Sequence, residues 1–256
     1  MTEGSSSFDA HATSFGGAAA TYERGRPPYP PEALDWLLPP GARRVLDLGA
    51  GTGKLTRELV ARGLDVVAVE PLEGMRAELS RVLPDTPVLD GSAEHIPLPD
   101  GSVDAVLAAQ AWHWVTPERA APEVARVLRP GGTLGLVWNE RDEREPWVSR
   151  LNRIVEEQGR KKQADEMRAH NDHDNPQVGP PFGPLELRQV PWVHHSSVPE
   201  VVDMIASRSY VILLPPGKRE TLLASVRHLL ESDPTLAGQP DVPLPYVTWC
   251  WRTRRP

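Results

Sequence analysis

Short apolar runs alternate with amphipathic segments through the first half of the chain. The apolar runs lie at residues 43–48, 64–70, 86–89, 103–109 and 133–139. Between them, apolar residues recur at helical spacing, as Leu72, Met75, Leu79 and Leu83 do. Continuous apolar strands separated by helices are typical of parallel sheets that are covered on both faces. The pattern predicts a doubly wound α/β fold.

The alternation becomes less regular after residue 139. We predict helices at 147–157, 200–213 and 218–230, strands at 185–193 and 247–252, and a polar connection or insertion at 158–177. The predicted parts of this single domain are a tail and cap segment at 1–40, a core at 41–140, an insertion and helical cap with a sheet strand at 141–230, and a closing strand and tail at 231–256.

The charge balance restricts the class of substrate. With 28 Lys and Arg against 35 Asp and Glu, the formal net charge is −7. A protein that follows a phosphate backbone is usually basic on its binding face, so we expect a small-molecule substrate and no nucleic acid. A single cysteine excludes an intramolecular disulfide and a cysteine-based metal cluster.

No targeting or membrane segment is recognisable in the chain. The N-terminal residues lack a basic start followed by an apolar run, so we expect a cytoplasmic protein that binds no membrane. A monomer and a homodimer both remain open. No histidine group has the spacing of a strong metal motif, so we expect no metal.

A glycine-spaced turn after the first apolar strand is the strongest chemical signal. The turn consists of Gly49, Ala50, Gly51, Thr52 and Gly53, and a predicted helix follows it. Glycines without Cβ atoms let a ligand approach the backbone, and the helix N-terminus presents unpaired N–H groups. The turn alone is weak evidence, but a strand, three spaced glycines, a helix and an acid that closes the next strand together indicate a site for a nucleoside-containing ligand.

Two acids indicate which nucleoside ligand binds. Glu70 ends the second strand, where a carboxylate is able to accept both hydroxyls of a ribose. Asp47, two residues before Gly49, would repel a pyrophosphate but suits a ligand that carries an ammonium and a sulfonium. The glycines are also spaced G-x-G-x-G rather than G-x-G-x-x-G, which disfavours a nucleotide-dependent oxidoreductase.

The chain resembles the class I S-adenosylmethionine-dependent methyltransferases, in their type 11 domain form. The segments that carry the resemblance keep the family's order, and they are Val45–Leu55, Val67–Pro71, Gly91–Leu98, Val103–Val106 and Val127–Gly132. The runs Arg26–Pro30 and Trp112–Trp114 resemble the subgroup that includes trans-aconitate-type methyltransferases. The resemblance implies a Rossmann-like, mostly parallel seven-stranded sheet with an antiparallel last strand, and S-adenosylmethionine as cofactor.

The resemblance also implies cofactor-binding residues. These are Tyr22, Asp47, Gly49, Ala50, Gly51, Thr52, Gly53, Glu70, Pro71, Met75, Ser92, Ala93, Glu94 and Gln110. Ser92 departs from the family, which usually has an acid there for the adenine amine; Ser92 itself or Glu94 is the replacement that we consider.

On the acceptor side, we predict His113 as a general base, with Trp112 and Trp114 in the substrate pocket, because they follow the fourth strand at its C-terminal end. A packing cluster of the two tryptophans is the equally weighted alternative. Trp138 and Asn139, which end the fifth strand, and Arg208, on a predicted cap helix, complete the predicted substrate contacts.

The functional prediction is methyl transfer to a small-molecule acceptor by in-line displacement. A carboxylate and a specialised metabolite are both open as acceptors, and the methylated atom is undecided among oxygen, nitrogen and carbon. The alternative is a non-catalytic S-adenosylmethionine-binding protein.

Overall fold

The computed structural model describes residues 27–156, 173–212 and 214–256. In chain order the elements are α1 (Pro31–Leu37), β1 (Arg44–Leu48), α2 (Lys54–Ala61), β2 (Asp65–Val69), α3 (Glu73–Val82), β3 (Val88–Leu89), β4 (Val103–Ala109), a 3₁₀ turn (Trp112–Trp114), α4 (Pro117–Val127), β5 (Leu128–Arg141), α5 (Pro146–Val155), β6 (Glu186–Ser196), α6 (Val198–Ala206), α7 (Ser209–Ile212), α8 (Pro216–Ser232) and β7 (Val242–Arg254).

The strands form one sheet in the order β3-β2-β1-β4-β5-β7-β6. Strand β1 is parallel to both of its neighbours, and Asp47 on β1 is level with Ala68 on β2 and Leu107 on β4. The chain starts in the centre, winds to one edge and then crosses to the other, which confirms the predicted doubly wound seven-stranded sheet.

The last strand runs against its neighbour. Near the start of β5, Gly131 donates its N–H to the carbonyl of Arg255, just past the end of β7, and Arg255 donates back to Gly132. The start of β5 therefore lies beside the end of β7, which makes the pair antiparallel. The predicted antiparallel last strand is confirmed.

Both faces of the central strands are buried, as their apolar runs predict. Neighbouring residues Val45 and Leu46 on β1 fall into different buried clusters, and so do Val106 and Leu107 on β4. Because successive side chains of a strand point to opposite faces, each face has its own apolar layer.

The described residues divide into two compact units. The core unit contains residues 28–140, 173–190 and 248–256, and the helical unit contains residues 27, 141–156, 191–212 and 214–247. The core of the helical unit is a cluster of buried side chains from α5, α6, α8 and the start of β7, among them Trp147, Val201, Leu222 and Tyr246. None of the helices in the described ranges combines the length and apolarity needed to cross a lipid bilayer.

Several boundaries differ from the prediction, among them those of β5, β7 and the segment 200–213. Strand β5 begins at Leu128 rather than at residue 133, since the Pro-Gly-Gly segment pairs with the end of β7. Strand β7 begins at Val242 rather than 247, despite two prolines near its start. The helix predicted at 200–213 is divided into α6 and α7; Ser207 lies between them, and its hydroxyl donates to the carbonyl of Met204.

Candidate active site

The glycine loop connects β1 to α2 in a left-handed backbone conformation. Gly49, Gly51 and Gly53 have φ of +70°, +57° and +93°. A Cβ added at Gly49 would lie 2.7 Å from the Cβ of Ala111, whereas one added at Gly51 would meet nothing within 4 Å. Gly49 therefore allows the chain after β4 to approach closely, and Gly51 borders open space where a ligand is able to lie against the backbone.

Asp47 is a fully buried acid at the end of β1. Its Oδ2 accepts a hydrogen bond of 2.6 Å from the Thr56 hydroxyl on α2. Its Oδ1 is buried and has no hydrogen-bond partner among the described residues. A buried carboxylate oxygen without a donor is costly, and it is the kind of group that a ligand donor satisfies.

Burial is also the main reason that the pKa of Asp47 is raised from 3.8 to about 7. The Thr56 hydroxyl lowers the pKa, while the nearby negative charge of Glu70 raises it further. A positively charged donor beside Oδ1 would favour the ionised form and lower this pKa.

Glu70 lies directly after β2 and supports the glycine loop. Its Oε2 accepts the N–H of Gly51 at 2.9 Å, and its Oε1 accepts the N–H of Leu72 at 2.9 Å. Burial raises the pKa of Glu70, and these two backbone bonds oppose that rise. Each oxygen retains a further lone pair, so the carboxylate is able to accept ribose hydroxyls while it holds the loop.

The predicted adenine loop forms a tight turn next to α4. Ser92 and His95 exchange backbone hydrogen bonds of 3.1 Å, and the Ala93 between them is buried. The Glu94 carboxylate, considered as the replacement acid, accepts the N–H of Thr116 at 2.9 Å and so supports the start of α4. Met75 on α3 is 4% exposed.

A strained residue follows β4. Gln110 has φ of +55°, and it is the sole non-glycine residue of the described ranges with a positive φ. Its N–H donates to the carbonyl of Val137 at 2.9 Å, and its side-chain Nε2 donates to the carbonyl of Asn139 at 3.3 Å. Such conformations cost on the order of 1–3 kcal/mol and often mark functional sites.

The two tryptophans of the 3₁₀ turn have different environments. Trp112 is 0% exposed, and its indole N–H donates to the carbonyl of Gln177 at 2.8 Å. Trp114 is 51% exposed, and its ring centre lies 4.9 Å from that of the half-buried His113. Trp112 is thus buried and hydrogen-bonded through its indole, and Trp114 is the exposed aromatic side chain of the pair; a substrate contact by either stays a prediction.

Comparisons with known proteins agree with this geometry. A family model described as a methyltransferase domain matches residues 46–136. An uncharacterized methyltransferase of Mycobacterium tuberculosis is 56% identical over 239 residues, which are 93% of this chain and 94% of the relative. The chain belongs to the methyltransferase domain family. The predicted enzyme class is therefore confirmed, and S-adenosylmethionine is its cofactor.

More distant matches are also named as methyltransferases or methyltransferase-like proteins. An uncharacterized methyltransferase-like protein of Schizosaccharomyces pombe is 33% identical over 241 residues, 92% of this chain and 93% of the relative. A solved structure from Anaeromyxobacter dehalogenans, named as a type II methyltransferase, has a TM-score of 0.65 and 27% identity, and the match covers 90% of this chain and 96% of that one.

The residues of this methyltransferase fit the cofactor in three respects. Asp47 offers an oxygen that has no donor in the described part of the chain, Gly51 borders open space, and Glu70 offers lone pairs for a ribose. Asp47 lies on β1, Gly51 in the loop after β1, and Glu70 directly after β2. The two strands are adjacent and parallel, so these residues lie at the same edge of the sheet.

The predicted acceptor residues are placed less uniformly. Trp138 is 2% exposed within the core. The Asn139 side chain donates to the carbonyl of Pro28 at 3.0 Å and accepts the Thr248 hydroxyl at 2.6 Å, so both ends of its amide are engaged. An acceptor contact by either residue therefore stays a prediction that requires local repacking.

Two predicted residues lie apart from this description. Tyr22 lies outside the described residues. Arg208 is half-buried in the helical unit, at the turn between α6 and α7. Among the described residues, no group of three or more His, Cys, Asp or Glu side chains is arranged to hold a metal ion.

The sequence interpretation missed Thr56 and Gln177. Thr56 lies in the first turn of α2, directly after the glycine loop, and a hydroxyl at that place was a usable signal for a partner of Asp47. Gln177 contributes only its backbone carbonyl, which no side-chain pattern reveals.

Proposed function

We propose that this methyltransferase transfers the methyl group of S-adenosylmethionine to a small-molecule acceptor by in-line displacement, with the cofactor lying along Gly51. The observation that carries the proposal is the buried Oδ1 of Asp47, which lacks a donor in the described residues. The cationic amino group of the methionine part is the donor that this oxygen suits.

The other cofactor contacts follow the order of the strands. Glu70 accepts the ribose hydroxyls, Met75 and Pro71 flank the adenine, and the Ala93 backbone meets the adenine edge. Ser92 supplies the hydroxyl that replaces the family's acid. Gln110 lies toward the methionine end, where its strained backbone keeps the chain close to Gly49.

When bound, S-adenosylmethionine supplies a methyl group on a sulfonium, which leaves as a neutral thioether. The main task of the chain is to hold the acceptor atom on the axis of the breaking bond. Such positioning is worth roughly 7–11 kcal/mol. Because the sulfur would leave as a neutral thioether, the protein has no need to supply a proton to the leaving group.

His113 and Trp114 are the side chains that we assign to the acceptor. The exposed Trp114 ring offers an apolar face for an acceptor, and His113 beside it takes a proton if the acceptor atom carries one. A carboxylate acceptor needs no base. A carboxylate acceptor and membership of the trans-aconitate-type subgroup are predictions from the resemblance alone.

The test is transfer of label from methyl-tritiated S-adenosylmethionine into a cell extract. We expect the label in the small-molecule fraction after protein and nucleic acid are precipitated. Asp47→Ala should abolish the transfer, whereas Asp65→Asn should retain it, because Asp65 is an exposed residue at the opposite end of β2. Label in the precipitate, or full transfer by Asp47→Ala, would contradict the proposal.

A further inference from the structure

We propose that Trp112 is a positioning residue: its indole N–H, bonded to the carbonyl of Gln177, holds the chain from Gln110 to Trp114 against the glycine loop. The inference rests on the proposed function, because this position matters only if the cofactor lies along that loop. The residue pair is far apart in sequence and meets only in the folded core unit.

The bond is well supported on both sides. Trp112 is fully buried, and the bond length of 2.8 Å is that of a good N–H···O hydrogen bond. On the acceptor side, Val178 and Phe182 belong to the same buried cluster as Trp112. The carbonyl of Gln177 is therefore fixed by packing, and loss of the N–H would leave it without this donor.

The opposite side of the segment from Gln110 to Trp114 lies against the glycine loop. The N–H of Gln110 is bonded to the carbonyl of Val137 on β5, which fixes the start of the segment. Ala111 comes so close to Gly49 that a Cβ there would be only 2.7 Å away. A small movement of the 3₁₀ turn would thus be transmitted to the glycine loop, and His113 would move with it.

A second indole bond offers a matched control. Trp251 on β7 donates its indole N–H to the carbonyl of His173 at 2.7 Å. It holds the same stretch of chain, residues 173–178, but it is not part of the segment that follows β4. Loosening this stretch in general would give Trp112→Phe and Trp251→Phe the same effect, whereas positioning through the turn would affect only Trp112→Phe.

The first experiment measures the affinity of the full chain for S-adenosylhomocysteine by calorimetry. For Trp112→Phe we expect the Kd to rise about three- to tenfold, as expected for loss of one buried hydrogen bond. For Trp251→Phe we expect it to stay within about twofold. Equal weakening by both variants, or wild-type affinity of Trp112→Phe, would overturn the proposal. If wild type itself bound no S-adenosylhomocysteine, the proposed function would fail instead.

The second experiment uses only the wild-type chain and so does not depend on the folding of a variant. Hydrogen exchange of the indole N–H groups is followed by NMR, with the Trp112 and Trp251 signals assigned. We expect S-adenosylhomocysteine to slow the exchange of Trp112 and to leave that of Trp251 unchanged. Exchange of Trp112 that does not respond to the ligand would contradict the positioning role, since mere packing requires no such response.

Discussion

Replacement of Asp47 by asparagine should remove a loss of stability that the cofactor-free wild-type protein suffers as the pH rises. The folded state raises the pKa of Asp47 from 3.8 to about 7, chiefly because the carboxyl is buried. Between these pH values the folded chain keeps the proton that the unfolded chain has released. The free energy of unfolding of wild type therefore falls as the pH rises through this range.

The size of the effect follows from the two pKa values. From pH 5 to pH 8, the Asp47 contribution to the free energy of unfolding should fall by about 2–3 kcal/mol. Asparagine does not titrate, so the free energy of unfolding of the Asp47→Asn variant lacks this decline. Its amide nitrogen would lie where Oδ1 has no partner in the described residues, at a cost of about 1–3 kcal/mol that does not depend on pH. The informative quantity is thus the change with pH.

The assay is urea unfolding without cofactor at pH 5 and pH 8, followed by circular dichroism. The difference in free energy of unfolding between Asp47→Asn and wild type should move in favour of the variant by about 2–3 kcal/mol over this interval. Asp65→Asn is the control, because the Asp65 side chain is 58% exposed in a surface ion pair with Arg44. A difference that stays constant or moves in favour of wild type would refute the reasoning.

Three further changes probe the same site. Thr56→Val removes the hydroxyl that lowers the pKa of Asp47. Calorimetry at pH 7 should therefore show S-adenosylhomocysteine affinity reduced about tenfold, and this loss of affinity should shrink toward pH 9. A loss that does not depend on pH would count against this. Gly51→Ala should abolish cofactor binding. The control Gly63→Ala, with a similar positive φ and equally open surroundings, should keep binding and lose only about 1–2 kcal/mol of stability in thermal unfolding through backbone strain. Equal binding by the two variants would argue against a ligand at Gly51. His113→Ala should lower the methylation rate at least tenfold for an acceptor that loses a proton and leave cofactor affinity unchanged; activity within a few-fold of wild type would remove His113 from the base role.

The sequence specified the core of the fold more fully than its periphery. Strand β4 has the predicted bounds: its run is apolar except for Asp104, and five of its seven residues are buried. The start of β5 at Leu128 depends on pairing with residues near Arg255, more than a hundred positions later, and no local pattern contains that partner.

The same distinction applies to the site. The glycine loop and the two acids are contained in one short stretch of sequence, and parallel pairing of β1 with β2 was enough to bring them together. Trp112 and Trp114 are identical residue types two positions apart, but Trp112 is buried with partners distant in sequence, among them Gln177 and Val178, whereas Trp114 is exposed. The engagement of the Asn139 amide by Pro28 and Thr248 likewise depends on distant partners.

A crystal structure of this methyltransferase with S-adenosylhomocysteine tests the assignment of Asp47 most directly. The amino nitrogen of the ligand should lie within about 3 Å of Asp47 Oδ1, with the ribose at Glu70 and the ligand passing over Gly51. A ligand bound with its amino group elsewhere, and Oδ1 still buried without a donor, would contradict it.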